Sequence, residues 1–147
     1  MERSSEDEVL LALARVVVAV STRAADHLGG ISVVQLRALT VLREVGTVNL
    51  GRVAEEMGVA LSTASRLVDR LVRAGLVDRR PSPRTRREIE LEVSQDGLAT
   101  LDRYDDLRLV GLRAHLSQAA SRDDVVEALD QFVGPGDREL AAEVALP

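Results

Sequence analysis

Apolar residues recur with helical spacing in six stretches of the chain, and turn-forming residues separate the stretches. The spacing predicts helices over 6–28, 32–46, 50–57, 61–74, 94–117 and 122–133, of which we expect the fifth to be the longest. In the second and last helices the pattern places specific side chains in the core: Val33 or Val34, Leu36, Leu39 and Leu42, then Val125, Val126, Leu129 and Phe132. The chain is therefore predicted to be mainly α-helical.

Two short elements interrupt this helical pattern. Residues 47–48 can form a brief strand, while 76–80 and the alternating run 88–93 predict a hairpin with a basic loop between its strands. Asn49 is a suitable N-cap for helix 50–57, and Gly58 can adopt the positive φ that ends it. Helix, three-residue turn and helix is the helix-turn-helix pattern, with Ala54 and Gly58 small where the helices approach. The predicted fold class is a winged helix-turn-helix, mainly α with a small β-hairpin wing.

Composition removes several classes of function. The sequence contains no cysteine, so thiolate metal sites, disulfides and thiol redox sensing are excluded. Tyr104 and Phe132 are the only aromatic residues, which leaves no stacking platform for single-stranded nucleic acid. The apolar run 9–20 is interrupted by Arg15 and is too short to span a bilayer, and the first residues are acidic. We therefore expect a cytoplasmic protein without a membrane partner.

Charge is distributed unevenly along the chain. The net charge is −5, yet residues 52–87 contain nine arginines and four acidic residues, a local excess of five positive charges. A basic segment in an acidic protein is typical of a phosphate-contacting module on a scaffold that does not touch DNA. A solvated charged surface is the simpler alternative.

The polar face of helix 61–74 carries the first candidate DNA contacts. In a helix-turn-helix the second helix enters the major groove, where an arginine can bind guanine in a bidentate manner. Arg66 is the preferred base-contacting residue, and Arg70 and Arg73 are expected to touch phosphate or, alternatively, to form surface ion pairs with Asp69 and Glu55. The predicted contacts on this helix are Ser62, Thr63, Ser65, Arg66, Arg70 and Arg73.

The loop of the hairpin carries the second set. Arg84, Arg86 and Arg87 lie beside Pro81 and Pro83, which keep the loop rigid and extended. Arginines on a narrow loop suit a minor groove, where narrowing strengthens the negative potential. A solvated charged turn is again the alternative.

The order of these motifs resembles the MarR family of bacterial winged-helix regulators. The resemblance covers nearly the whole chain and rests on segments 35–39, 50–59, 62–71, 75–77 and 86–97. The family's wing pattern of Asp-x-Arg, a short strand, Leu-Thr and Gly places its arginine on Arg87 and its glycine on Gly97. Thr85 stands where the family has an aspartate that braces the wing, which is a departure from the pattern.

The resemblance implies how the chain is organised and how it acts. A single domain, 1–147, would consist of a DNA-binding lobe, 32–97, and a helical dimerisation region, 6–30 and 98–134. Two copies would present two recognition helices to a pseudo-palindromic operator, most simply as a repressor, although activation stays open. Relatives of this kind release DNA on binding small phenolic or lipophilic anions, for which His27, Arg37 and Tyr104 are the candidate contacts.

Other chemistry has little support in the sequence. His27 and His115 are the only histidines and lie far apart, so no metal site or cofactor is predicted. Asp105–Asp106 and Asp123–Asp124 are adjacent acids expected to be solvated, so no catalytic residues are predicted. The rival function is a winged-helix module for protein interaction or dimerisation that does not read DNA.

Overall fold

The computed structural model describes residues 3–85 and 87–137. It contains six helices and two strands in the described ranges, and it confirms the predicted fold class. The elements are α1 Ser5–Leu28, α2 Val33–Val45, α3 Leu50–Met57, α4 Leu61–Arg73, β1 Val77–Pro81, β2 Ile89–Val93, α5 Gln95–Leu116 and α6 Arg122–Asp137.

Local capping sets where the helices begin. In α1 and α2 a serine hydroxyl accepts a hydrogen bond from the third helical N–H, and the side chain of that residue accepts one from the serine N–H; the pairs are Ser4 with Asp7 and Ser32 with Gln35. With Ser4 as its N-cap, α1 begins at Ser5, one residue earlier than predicted, and has 24 residues, whereas α5 lies between the caps Ser94 and Ser117 and has 22. The prediction that the fifth helix is the longest was wrong.

The main core lies between α2, α3, α4, α5 and the hairpin, and Ala24 and Ala25 of α1 also belong to it. On α2 the buried residues include Leu36, Leu39 and Leu42, as predicted. Val33 and Val34 are exposed, which contradicts the sequence prediction, because the side of α2 that faces the core cluster begins at Leu36. The core therefore supports the helix-turn-helix from Leu36 onward.

The wing is a two-stranded antiparallel sheet in which Val77 pairs with Val93 and Pro81 with Ile89. The strand predicted at 47–48 is reduced to one bridge, in which Val48 and Leu91 exchange two backbone hydrogen bonds of 3.1 and 2.7 Å. Gly46 and the Asn49 cap flank these residues and leave no room for a longer strand. The bridge attaches the inner half of the wing to the helical core.

The base of the wing is joined to α5 through Ser94. Its hydroxyl donates to the Gly75 carbonyl at 2.6 Å and accepts from the Gly97 N–H at 3.0 Å. Gly97 lies so close to the Leu76 carbonyl that a Cβ at this position would overlap it. The absence of a side chain at Gly97 therefore permits α5 to start against the segment that follows α4.

The first and last helices carry apolar side chains that the single chain does not cover. Phe132 is 65% exposed, and Val126 and Leu129 are also exposed, so the prediction that α6 buries them within the chain was wrong. The predicted break at Gly134 is present as one non-helical residue, after which the helix continues to Asp137. Within the described residues, no helix is both long and apolar enough to cross a membrane.

Candidate nucleic-acid interface

Helix α4 divides into a buried face and an exposed face. Ala64, Leu67, Val68 and Leu71 are buried in the core, as the apolar stripe predicted. The exposed face contains most of the predicted DNA contacts: Ser62, Thr63, Arg66, Arg70 and Arg73 are exposed, and Ser65 is half-buried. The core thus fixes the rotation of α4 and leaves its polar residues facing outward.

The turn before α4 depends on Gly58. This residue has φ 63° and ψ 36°, and its N–H donates to the carbonyls of Ala54 and Glu55. A Cβ at Gly58 would meet no atom within 4 Å, so the expectation that this glycine permits close approach was wrong. Its role is conformational, because other residues rarely adopt a positive φ.

The arginines of α4 differ in their partners. Among the described residues, the guanidinium groups of Arg66 and Arg70 form no ion pair or hydrogen bond. The Arg73 Nε donates to the Asp69 carbonyl at 3.2 Å. Arg66 and Arg70 are therefore free to contact an anion.

The alternative ion pairs considered for Arg70 and Arg73 were wrong. The Asp69 carboxylate binds the Arg79 guanidinium on β1, with Oδ1 and Nη2 2.5 Å apart. Glu55 lies 3.5 Å from Arg52 within α3. The acids near α4 are thus bound by arginines outside its exposed face.

The wing presents Arg84 and Arg87 as exposed residues, whereas Arg86 lies outside the described residues. Ser82, between the two prolines, is only 7% exposed. Its hydroxyl donates to Glu90 Oε1 at 2.9 Å and accepts from the Arg84 N–H at 3.2 Å. Its own N–H donates to the Glu88 carbonyl at 2.8 Å, which extends the hairpin beyond the last strand pair.

Two residues of this surface were missed from the sequence. Leu61, the first residue of α4, is 57% exposed beside the polar face. Helical spacing from Ala64 would have placed it on the buried stripe, so the pattern carried no signal of its exposure. The burial of Ser82 likewise had no signal, since a serine between prolines is typical of an exposed turn.

The three predicted ligand contacts lie on different helices. His27 and Arg37 are exposed on α1 and α2, and Tyr104 is buried on α5. Within the described part of the chain, no hydrogen bond or ring contact joins them. The Tyr104 ring instead contacts Arg108, whose Cζ lies 5.1 Å from the ring centroid. Their role in ligand binding stays a prediction.

A charged cluster joins α2 to α5 beside Tyr104. Arg43 Nη2 donates to Asp105 Oδ2 at 3.1 Å, and Arg108 Nη1 donates to Asp105 Oδ1 at 3.3 Å. Asp105, expected to be solvated, is half-buried between these arginines. The cluster therefore links α2, in the predicted DNA-binding lobe, to α5, which continues into the predicted dimerisation region.

The two histidines have local partners. His27 Nδ1 lies 2.8 Å from the Arg23 carbonyl, and His115 Nδ1 lies 3.1 Å from the Gly111 carbonyl, each one turn earlier on its own helix. No three His, Asp or Glu side chains in ranges 3–85 and 87–137 are grouped as metal ligands.

Sequence comparisons relate the chain to known regulators. Residues 29–88 match the model described as MarR family. Over 65 residues the chain is 34% identical to the uncharacterized HTH-type transcriptional regulator YfiV of Bacillus subtilis, covering 44% of this chain and 41% of that protein. The match thus spans less than half the length of this relative.

Similar solved structures cover nearly the whole chain. RV1404 from Mycobacterium tuberculosis is 31% identical with a TM-score of 0.77, over 97% of this chain and 98% of that chain. MarR from E. coli, in its apo form, is similar in fold, with 22% identity, a TM-score of 0.73 and coverage of 92% and 100%. The resemblance predicted from the sequence is confirmed, and the chain belongs to the MarR family of winged-helix transcriptional regulators.

Proposed function

We propose that this protein is a homodimeric regulator that binds a pseudo-palindromic site in duplex DNA, with α4 in the major groove and the wing in the minor groove. The observation that carries the proposal is the exposed face of α4, where Arg66 and Arg70 have no ion-pair partner among the described residues while the opposite face is buried. MarR-family proteins are transcription regulators rather than enzymes.

Base reading is assigned to the first two turns of α4. Arg66 is placed to bind guanine O6 and N7, an interaction worth roughly 1–3 kcal/mol of discrimination. Ser62, Thr63 and Ser65 supply shorter donors and acceptors to bases or phosphate, and Arg70 and Arg73 contact the phosphate backbone. The exposed Leu61 adds an apolar side chain that fits the methyl group of thymine.

Dimerisation is assigned to the terminal helices. Val18 on α1, Val110 on α5 and Phe132 on α6 are each 64–66% exposed in the single chain. Large apolar side chains concentrated on these helices favour a protein interface over solvent. A second copy of the chain supplies the same surface under two-fold symmetry, and would place the recognition helices about 34 Å apart. This supports the division into a lobe, 32–97, and a dimerisation region, 6–30 and 98–134.

Regulation is proposed to be repression by occupying a promoter, with release by a small lipophilic or phenolic ligand. The contact of α1, α2 and α5 supports this, because a ligand between them would act where the lobe meets the dimerisation helices. The rival function, a protein-interaction module without DNA reading, predicts no DNA complex.

Selection of random duplex DNA by the purified protein at near-physiological salt tests the proposal. Wild-type protein should enrich a pseudo-palindrome. Arg66→Ala should lose base preference at one symmetric pair of positions, and Arg87→Ala should weaken binding with little change in the major-groove positions. Leu61→Ala should lose preference at a thymine. The log–log salt dependence of binding should have a slope near −0.9 for each phosphate contact.

Arg3→Ala is the control, because Arg3 is an exposed arginine that precedes α1 and lies outside both the proposed DNA-binding lobe and the proposed dimerisation region. It should leave both the selected sequence and the affinity unchanged. A folded wild-type protein that enriches no sequence and binds no duplex would overturn the proposal and favour the interaction module.

A further inference from the structure

The wing of this chain lacks the acidic residue by which the MarR wing pattern is braced, and the structure shows a different arrangement in its place. Thr85, at that position, is exposed, and the only hydrogen bond it forms among the described residues is from the Glu88 N–H to its backbone carbonyl at 3.3 Å. The Thr85 side chain therefore forms no hydrogen bond or ion pair with any described residue that could hold the loop in place. Another residue must order the loop if Arg84 and Arg87 are to be presented.

We propose that Ser82 is the positioning residue of the wing, holding the loop through Glu90 so that Arg84 and Arg87 face DNA in a preformed arrangement. This inference rests on the proposed DNA-binding function. Ser82 has the contacts that such a role needs: its hydroxyl bonds to the Glu90 carboxylate on the opposite strand and to the backbone N–H of Arg84. It thus links β2 directly to Arg84 in the loop.

Burial strengthens these contacts. Ser82 is 7% exposed and Glu90 is half-buried, so water competes poorly for either group. A hydroxyl removed from this site leaves the Glu90 oxygen and the Arg84 N–H without their protein partner, which costs more than a solvated hydrogen bond. Pro83 disfavours the helical region for the preceding Ser82, and Pro81 fixes its own φ, so this segment has few other conformations to adopt.

The Glu90 carboxylate can accept a hydrogen bond from Ser82 because the arginine opposite it interacts with other carboxylates. Arg80 lies opposite Glu90 in the strand register, but its guanidinium is near Asp78 and Glu92, at 3.6 and 4.0 Å. The Glu90 carboxylate therefore accepts from the serine rather than forming a cross-strand ion pair. The group that orders the loop, the Ser82 hydroxyl, is neutral. It therefore does not neutralise the positive charges of Arg84 and Arg87, which can bind phosphate.

A double-mutant cycle in DNA binding tests the inference on the full chain. Ser82→Ala should weaken binding of the selected duplex about three- to tenfold, since each arginine must then be ordered on binding. In a protein already carrying Arg84→Ala and Arg87→Ala, adding Ser82→Ala should change affinity less than twofold. A purely structural defect would weaken binding equally in both backgrounds and would overturn the inference.

Three further variants test whether the effect comes from the hydrogen bond between Ser82 and Glu90 or from any change in the loop. Glu90→Gln keeps an acceptor for Ser82 and should bind DNA at least as tightly as wild type, whereas Glu90→Ala should reproduce the Ser82→Ala defect. Thr85→Ala is the matched control in the same loop and should bind like wild type. A Thr85→Ala defect as large as that of Ser82→Ala would assign the bracing to Thr85 and refute the proposal.

Amide hydrogen exchange on the free protein supplies a readout that does not involve DNA. Ser82→Ala should speed exchange at Arg84 and leave the amides of α4 unchanged. If wild-type protein binds no duplex, the proposed function fails; if it binds and Ser82→Ala binds equally well with unchanged exchange at Arg84, only the present inference fails.

Discussion

At the scale of single residues, the geometry of the interface depends on backbone positions as much as on charged side chains. Gly58 turns the chain between α3 and α4 with φ 63°, and its N–H is bound to α3 carbonyls. The direction in which α4 leaves the core therefore depends on one residue with no side chain.

Replacing Gly58 with alanine should lower the free energy of unfolding by about 1 kcal/mol or more, because an alanine at positive φ is strained. Gly58→Asn should cost less, since asparagine tolerates the left-handed region. Urea denaturation of both variants measures the difference. Because a Cβ meets nothing within 4 Å here, equal costs for the two variants would show that the backbone conformation is not the cause.

At the scale of elements, α4 differs from its neighbours at its N-terminus. The N-cap side chains of α1, α2, α3 and α5 each accept a backbone hydrogen bond, whereas the N-cap of α4 is Ala60, whose side chain cannot. The N-terminus of the helix that we assign to DNA therefore lacks the stabilising hydrogen bond that a capping side chain provides. The uncapped N–H groups and the helix dipole favour an anion there.

Ala60→Ser should therefore raise the free energy of unfolding by about 0.5–1 kcal/mol by capping α4. Ala60→Asp should stabilise the fold at least as much, yet it should weaken DNA binding, because the added carboxylate repels phosphate. Thermal or urea unfolding and a DNA titration of both variants check this. Ser32→Ala, which removes the cap of α2, provides the reverse control and should destabilise by about 1 kcal/mol. Equal DNA affinity of the two Ala60 variants would place the N-terminus of α4 away from the phosphates.

At the scale of the whole molecule, the terminal helices have apolar surface that the chain alone leaves in water. The wild-type thermal midpoint should rise with protein concentration, as expected when association contributes to stability. Phe132→Glu should shift the protein from dimer to monomer in light scattering after gel filtration, because it buries a charge in the proposed interface.

Ile89→Glu is the matched control for this experiment, since Ile89 is an exposed apolar residue of the wing. It should leave the dimer intact. If wild-type protein is monomeric at micromolar concentration and its midpoint does not depend on concentration, the terminal helices serve some purpose other than self-association.

Much of the architecture was predictable from the sequence because its determinants are local. Ser32 with Gln35, Asn49 with the Arg52 N–H, and Ser94 with the Gly97 N–H are hydrogen-bonded partners three residues apart, so their spacing alone predicted the helix starts. The buried stripe of α4 followed from helical periodicity in the same way, and so did the outward direction of Arg66 and Arg70.

Tertiary structure decided what depends on distant partners. Asp69 binds Arg79 ten residues away and Ser82 binds Glu90 eight residues away, and neither pairing follows from spacing because it depends on how strands and helices meet. Periodicity also showed that α6 has an apolar face without showing whether the same chain covers it, so Phe132 was assigned to the core and lies exposed. The sequence by itself determined the order of elements and their amphipathic faces, since these arise from contacts within a few residues. Only the fold decided which faces are covered and which charges remain free, because burial and ion pairing depend on the positions of all the elements together.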